Sequence, residues 1–217
     1  MVKAVIFDMD GVLLDTEKHY CTMWRRAAHE LGFLDFTMEH SYRLRSLAAK
    51  YAEPMLKEQF GEAFDYYAVR ERRRELVDQA LEEQGVEGKP GAEELLVWLS
   101  AHGIKTAVAT ATQEDVARAR LRAVGLEDRF DRIVSAKDVE NGKPAPDVYV
   151  YACEQIGERP EDCLAVEDSP NGVQSAYRAG LRTIMVPDQT QPDEHTAAML
   201  YACVPELKDI IAVVENA

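Results

Sequence analysis

From residue 92 onward, short apolar runs rich in β-branched residues alternate with segments of helical periodicity. The predicted strands are 104–110, 131–134, 163–167 and 182–186, and the predicted helices are 92–102, 113–124, 146–156 and 170–179. Strands that are joined by helices pair in parallel, because the helix carries the chain back to the edge where the previous strand began. With a further apolar strand at residues 2–7, the pattern predicts an α/β fold with a three-layer, Rossmann-like parallel sheet.

The stretch between the first two strands has a different texture, with many helix formers and no convincing strand. Apolar residues recur there at helical spacing, in the sets Trp24, Ala27, Ala28, Leu31 and Leu44, Leu47, Ala48, Tyr51. Residues 85–91 hold three glycines and Pro90, which is typical of a linker. We therefore expect an all-helical cap at 17–88, inserted into a core of residues 1–16 and 89–217. It should cover the edge where open α/β sheets bind ligands.

Polar side chains follow four of the predicted strands, at the point where each strand ends. They are Asp8 and Asp10 after the first strand, Thr110 at the end of the second, Lys143 after the third, and Glu167 and Asp168 at the end of the fourth. Taken singly, each has an ordinary structural explanation: a solvated turn, a strand-end threonine, a loop lysine, or the start of a helix capped by Ser169. Because all parallel strands end at one rim, their occurrence together predicts a functional site.

These residue types suit the transfer of a phosphoryl group. One carboxylate of the Asp8 and Asp10 pair can attack phosphorus, and the other can protonate the leaving oxygen and later deprotonate water. So many carboxylates require a hard cation with oxygen ligands. Lys143 and the hydroxyl of Thr110 can hold phosphoryl oxygens, and this chemistry depends mainly on positioning and charge neutralisation.

The composition limits the classes of binding partner that we expect. The formal net charge of −14 argues against nucleic acid and against anionic membranes, whereas a local cation could still attract an anionic substrate. No apolar stretch approaches the roughly 20 residues that span a bilayer. The four cysteines lack metal-site spacing, so we expect buried or half-buried reduced thiols. We also expect a cytoplasmic monomer without a signal peptide.

Four runs carry a resemblance to a known family. They are FDMDGVLLDTE at 7–17, VATAT at 108–112, GKPAPD at 142–147 and VEDSPNG at 166–172. With them the chain resembles the haloacid dehalogenase-like hydrolase superfamily, in the branch that contains β-phosphoglucomutase and its phosphatase relatives. The resemblance spans the core from end to end, and the cap sequence is a weak match.

The resemblance implies a role for each matched position. Asp8 is the expected nucleophile, which forms an aspartyl phosphate, and Asp10 is the expected general acid and base. The expected Mg²⁺ ligands are Asp8, the backbone carbonyl of Asp10, Asp168 and Glu167. Thr110, the backbone around Ala111, and Lys143 are expected to hold the phosphate. Asp10 favours phosphate esters, because dehalogenases generally lack it and phosphonatases replace it with alanine.

The reaction that follows the aspartyl phosphate stays open at this point. β-Phosphoglucomutases carry a histidine where this chain has Tyr20, beside His19, and a Gly-x-x-Arg sequence in the cap. Here the nearest arginines are Arg43 and Arg45, without that glycine. We favour a phosphatase for a small phosphorylated metabolite, with a sugar phosphate the expected substrate, and Tyr20, Arg43 and Arg45 as cap contacts. A hexose-phosphate mutase and a catalytically vestigial binding protein are the alternatives.

The cap also contains a basic run, Arg70 to Arg74, interrupted only by Glu71. Nearby Glu71 and Glu75 lie at helical spacing from these arginines. The run is therefore interpreted as a solvated helix face.

Overall fold

The computed structural model describes residues 2–217, which contain six parallel strands in the order β3-β2-β1-β4-β5-β6. The strands are β1 Ala4–Phe7, β2 Lys105–Thr110, β3 Arg132–Ser135, β4 Cys163–Glu167, β5 Arg182–Met185 and β6 Leu200–Cys203. The helices are α1 Glu17–Glu30, α2 Met38–Arg43, α3 Ala49–Phe60, α4 Tyr66–Gln84, α5 Ala92–Ala101, α6 Glu114–Ala123, α7 Asp147–Ile156, α8 Pro170–Arg178, α9 Glu194–Ala197 and α10 Ile210–Glu215. Short 3₁₀ turns lie at 127–129, 160–162 and 207–209. The predicted α/β fold with a parallel, Rossmann-like sheet is confirmed.

The alternation of side chains along β1 builds the layers on the two faces of the sheet. Val5 and Phe7 pack into one cluster with α5, α6 and α10, whereas Ala4 and Ile6 pack into another with α7 and α8. All four side chains are fully buried, as expected for a central parallel strand covered on both faces. The predicted start of α8 is also confirmed. Ser169 is its N-cap residue, because Ser169 Oγ accepts a hydrogen bond from Gly172 N at 3.2 Å, and Pro170 is the first helical residue.

The sequence prediction missed β6. It is a four-residue edge strand, half-buried to exposed, and a bulge between Thr183 and Ile184 interrupts its register with β5. So short and weakly buried a strand lacks the apolar run that marked the others. The cysteine prediction was wrong at Cys203, which is an exposed free thiol on this strand, while Cys21, Cys153 and Cys163 are free and buried.

The strand order reverses direction at β1, which pairs with β2 on one side and β4 on the other. Crevices form at such a reversal, because the connections on either side leave in opposite directions. Asp8 follows β1 directly, and its backbone N–H continues the sheet by donating to Val166 O at 2.9 Å. The first predicted catalytic residue therefore lies at the reversal point.

The four helices α1 to α4 lie between β1 and α5 in the chain and share a hydrophobic cluster of their own. Leu31, predicted to face this cluster, is 45% exposed. The set from Leu44 to Tyr51 does not form one helical stripe, because α2 ends at Arg43 and α3 begins at Ala49. The separate cluster supports our proposal that these helices form a cap unit.

Two backbone crossings lie side by side where the helices leave and rejoin the sheet region. Asp15 N donates to Glu87 O at 2.9 Å, and Lys89 N donates to Leu13 O at 2.9 Å. Leu14 and Gly88 form an antiparallel bridge between these bonds. The predicted linker at 85–91 is thus paired with the loop that follows Asp8 and Asp10.

Among the helices of residues 2–217, none combines the length and apolar character that crossing a bilayer requires.

Replacing Leu56 by alanine tests the cap cluster. Leu56 is fully buried there, so we expect the change to lower the free energy of unfolding by about 2–5 kcal/mol through lost burial and a residual cavity. Urea denaturation followed by circular dichroism measures this. Leu34→Ala is the matched control, because Leu34 is 72% exposed and should change stability little. Equal effects of the two variants would contradict the cap packing.

Candidate active site

The centre of the site is an ammonium held between two carboxylates. Lys143 Nζ donates to Asp8 Oδ1 at 2.6 Å and to Glu167 Oε1 at 2.6 Å, and all three side chains are buried. Burial acts against the charge of Lys143, but the carboxylates of Asp8 and Glu167 raise its pKa above the ordinary lysine value. The lysine is therefore a fixed positive charge beside Asp8.

Glu167 accepts hydrogen bonds with both of its carboxylate oxygens. Its Oε1 also accepts from Tyr149 OH at 2.6 Å, and its Oε2 accepts from Asp168 N at 3.2 Å and Ser169 Oγ at 3.4 Å. A side chain at Gly172 would collide with this carboxylate, so glycine is required beneath it. Both oxygens of Glu167 are thus committed to protein donors.

Asp8, Glu167 and Asp168 bring carboxylate oxygens within 4.8 Å of one another, which is close enough to hold a metal ion. Asp8 Oδ2 and Asp168 Oδ1 accept no hydrogen bond from residues 2–217, so each offers a free oxygen. Burial raises the pKa of both Asp8 and Asp168 well above the ordinary value, which means that their negative charge is under-compensated. An oxygen-binding cation fits this donor set.

The loop after β1 comes very close to Asp168. Gly11 has φ of +88°, and a Cβ there would lie 2.5 Å from Asp168 Oδ2. Both the positive φ and the close approach require glycine at this position. The DxDG run therefore packs against the carboxylate cluster rather than pointing into solvent.

Asp10 faces the cavity beside this cluster, and its carboxylate lies outside the three-carboxylate group. Thr16 Oγ1 donates to its Oδ1 at 2.6 Å, and Thr112 Oγ1 donates to its Oδ2 at 2.9 Å. Arg120 Nη1 lies 3.6 Å from Oδ1. Two hydroxyls and a guanidinium therefore fix the orientation of this carboxylate at the cavity wall.

The end of β2 completes the rim. Thr110 is buried, and its Oγ1 accepts from Thr112 N at 3.0 Å, which shapes the turn that follows the strand. Ala111 and Thr112 line the cavity. The structure thus brings Asp8, Asp10 and the strand-end residues predicted from the sequence to one edge of the sheet.

A cavity of about 650 Å³ lies at this edge and is lined by residues of α1, α4 and α6 and of the segment between α2 and α3. Of the predicted cap contacts, Tyr20 and Arg45 line it. Arg43 does not, because it is exposed and its Nη2 donates to Met55 Sδ at 3.4 Å. The volume is in the usual range for a small-molecule site.

Arg45 reaches across from the cap into the carboxylate cluster. Its Nη1 donates to Asp168 Oδ2 at 2.9 Å, in an ion pair that is almost fully buried, and its Nη2 donates to Thr190. Asn171 Nδ2 donates to the backbone carbonyls of Arg45 and Arg43 at 2.8 and 3.1 Å. Ala48 N donates to Lys143 O at 2.9 Å. These contacts join the segment around Arg45 to the residues of the carboxylate cluster.

The sequence reasoning missed several residues of the site: Thr16, Glu17, Arg73, Thr112, Arg120 and Tyr149. Thr16 and Thr112 lie inside the quoted motif runs, so the runs themselves could have indicated them. Glu17 lines the cavity, and burial, assisted by Asp10 and Asp8 against Arg45, raises its pKa to about 8. Arg73, Arg120 and Tyr149 lie on helices whose facing the sequence does not determine.

The interpretation of Arg70 to Arg74 as a solvated face was wrong in part. Arg72 pairs with Glu75 and Arg74 with Glu71 at the surface, as expected, and Arg72 also pairs with Glu30. Arg73 instead packs against the rings of Tyr20 and Trp24 on the cavity wall. The run therefore has one solvated side and one side that faces the site.

Most of this chain is similar in sequence to known proteins. The family model described as haloacid dehalogenase-like hydrolase matches residues 5–186. The phosphorylated carbohydrates phosphatase of Thermotoga maritima is 35% identical over 84% of this chain and 84% of its own length. The β-phosphoglucomutase of Bacillus subtilis is 30% identical over 88% of this chain and 85% of its own length.

A solved structure shares the fold of this chain. CbbY from Rhodobacter sphaeroides, in complex with phosphate, superposes with a TM-score of 0.77 and 26% identity over 97% of this chain and 96% of its own. The segment that matches the family model, residues 5–186, runs from β1 to the end of β5 and so contains Asp8, Lys143 and Asp168. The chain therefore belongs to the haloacid dehalogenase-like hydrolases, in the branch of the β-phosphoglucomutases and their phosphatase relatives.

Proposed function

We propose that the protein is a Mg²⁺-dependent phosphatase that hydrolyses a small phosphorylated metabolite, a sugar phosphate, through an aspartyl phosphate on Asp8. The observation that carries the proposal is the pairing of Asp8 with Lys143 at the strand reversal, with Asp10 beside it facing the cavity. A buried carboxylate with a fixed cation beside it is suited to attack phosphorus. An oriented second carboxylate is suited to handle the proton.

In the proposed mechanism, an oxygen of Asp8 attacks the phosphorus of the ester while the bond from phosphorus to the leaving oxygen breaks. Asp10 gives its proton to that oxygen, and the alcohol leaves. Asp10 then takes a proton from water, whose oxygen attacks phosphorus, so that phosphate leaves and Asp8 is regenerated. Lys143 stays charged throughout and holds phosphoryl oxygens, with the backbone near Ala111 and the hydroxyl of Thr110.

The charges at the centre support a divalent cation. Three carboxylates, Asp8, Glu167 and Asp168, face two cations, Lys143 and Arg45, and one negative charge remains. The free oxygens of Asp8 and Asp168, with the backbone of Asp10, would hold Mg²⁺. When bound, it would neutralise charge on the transferring phosphoryl group. The centre would then carry one net positive charge, which suits an anionic phosphate ester.

The relatives favour this reaction class. The matched proteins include a phosphatase of phosphorylated carbohydrates, a fructose-1-phosphate phosphatase and a β-phosphoglucomutase. In this chain Tyr20 stands at the position of the mutase histidine, and its hydroxyl accepts from Arg120. A tyrosine held in this way is not suited to proton transfer near neutral pH. Hydrolysis is therefore favoured over transfer to a sugar phosphate.

Replacing Asp8 by asparagine tests the nucleophile. Asparagine keeps the shape of the side chain but cannot form the aspartyl phosphate, so kcat for 4-nitrophenyl phosphate should fall by about 10³-fold or more. Asp15→Asn is the matched control, because Asp15 lies in the same loop and pairs with Lys18 and Lys89. Activity of the Asp8 variant within tenfold of wild type, with an unchanged circular dichroism spectrum, would refute the assignment.

Removing the metal tests the cation site. Excess EDTA should abolish phosphatase activity, and added Mg²⁺ should restore it, because the carboxylate cluster needs a divalent counter-charge. Isothermal titration calorimetry should show Mg²⁺ binding that Asp168→Asn weakens by about tenfold or more, since a ligand carboxylate is lost. The surface variant Asp162→Asn should bind Mg²⁺ like wild type. Full activity in chelator would rule out the metal role.

Product analysis separates hydrolysis from mutase activity. We expect free phosphate to equal the ester consumed for each substrate in a panel of phosphorylated sugars, because water completes the reaction. The panel includes β-glucose 1-phosphate with a trace of the 1,6-bisphosphate. Formation of glucose 6-phosphate without free phosphate, followed by ³¹P NMR, would instead establish the mutase.

A further inference from the structure

Five guanidinium groups line the cavity, which is unusual in a chain of net charge −14. They belong to Arg45, Arg70, Arg73, Arg74 and Arg120. Three of the five have carboxylate partners: Arg45 pairs with Asp168, Arg74 with Glu71, and Arg120 with Asp10 and Asp78. Arg70 and Arg73, both on α4, have no carboxylate oxygen within 4.0 Å among residues 2–217.

Arg70 and Arg73 are both half-buried, and Arg73 has the closer contacts with the cavity wall. Its guanidinium carbon lies 4.9 Å from the centre of the Tyr20 ring and 4.8 Å from that of Trp24, and its buried Nε has no hydrogen-bond partner. Burial lowers the pKa of Arg73, with the charge of Arg70 adding to the effect. The side chain is thus a cation in a cavity wall that has only ring faces as protein partners.

Such a group is costly unless something compensates it. Ring faces offset part of the cost of burying a guanidinium, but they leave its N–H donors unused. Arg70 lies three residues away on the same helix, so the two positive charges also repel each other. The planar fork of donors on an arginine matches the oxygens of a carboxylate or a phosphate. An oxyanion inside the cavity would satisfy all of these demands.

The position of Arg73 sets where that oxyanion would lie. Arg73 and Arg120 both lie over the ring of Tyr20, with guanidinium carbons 4.9 and 5.6 Å from its centre, and Arg120 in turn lies beside Asp10. Arg73 is therefore on the α4 wall of the cavity, and the chain of contacts from it to Asp10 passes through Tyr20 and Arg120. A substrate whose phosphate sits at Asp8 would meet Arg73 only with its far end.

We propose that Arg73, assisted by Arg70, binds a second anionic group of the substrate. The substrate class is then a small phosphate ester that also carries a carboxylate or a second phosphate. This inference rests on the proposed phosphatase function, and it assigns to the cap the choice between singly and doubly anionic esters.

Matched pairs of substrates test the proposal. One pair is 3-phosphoglycerate and glycerol 3-phosphate, which differ by a carboxylate, and the other is glucose 1,6-bisphosphate and glucose 1-phosphate. Wild type should prefer the more anionic member of at least one pair by about tenfold or more in kcat/KM. The pair with the larger preference identifies the second group as carboxylate or phosphate.

The variant Arg73→Met keeps an unbranched side chain against the two rings and removes the charge. It should bring the preference in kcat/KM close to one, mainly by raising KM for the more anionic substrate. Arg73→Lys should recover part of the preference, which a purely packing role would not produce. Arg72→Met is the matched control on the surface side of α4, because Arg72 pairs with Glu30 and Glu75, and it should leave the preference unchanged.

Equal kcat/KM for both members of both pairs in wild type would overturn the proposal, and that measurement needs no variant to fold. An equal loss for both members in Arg73→Met would also overturn it. Failure of the proposed function looks different, because wild type would then release no phosphate from any of the four esters or from 4-nitrophenyl phosphate.

Discussion

The site depends on the placement of one ammonium, that of Lys143, between the carboxylates of Asp8 and Glu167. None of the three charges could be buried alone, because removal from water costs far more than any one contact returns. The three groups can meet only if the ends of β1 and β4 and the loop after β3 lie close together. The strand order provides this, because β1 and β4 are neighbours in the sheet. The reversal of strand order at β1 is thus both a feature of the fold and the condition for a buried charge cluster.

Much of this cluster could be predicted, because parallel strands turn sequence order into spatial proximity. Three of the site residues follow or end apolar runs that are typical of buried strands: Asp8, Thr110 and Glu167. These residues lie at the same edge of the sheet if the strands are parallel. Ser169 and Pro170 mark the start of α8 through local capping chemistry, which depends on neighbours in the sequence. Predictions of this kind succeed because few alternative arrangements satisfy the same constraints.

The rest depends on tertiary packing that leaves little trace in the sequence. Arg43 and Arg45 are two residues apart, yet one is exposed and the other is buried against Asp168, because α2 ends between them. Arg72 and Arg73 are adjacent on α4 and both contact α1, yet Arg72 pairs with Glu30 at the surface and Arg73 packs on Trp24 beside the cavity. Strand β6 was missed for a related reason. It forms by pairing with β5 at the edge of the sheet, and its four residues contain no buried apolar run that would mark it in the sequence.

The cap also contributes to the electrostatics of the phosphate centre. Arg45 belongs to the proposed cap and supplies one of the two cations that face the carboxylate cluster, so the charge of that cluster would depend on where the cap lies. With the cap in place, Asp168 has a guanidinium partner. If the cap moved away, the same carboxylates would lose one positive charge, which would favour a divalent cation and disfavour an anionic ester. Closure of the cap over a bound ester would therefore bring the positive charge of Arg45 to the negative charges of the site. The same movement would exclude water from these charged groups.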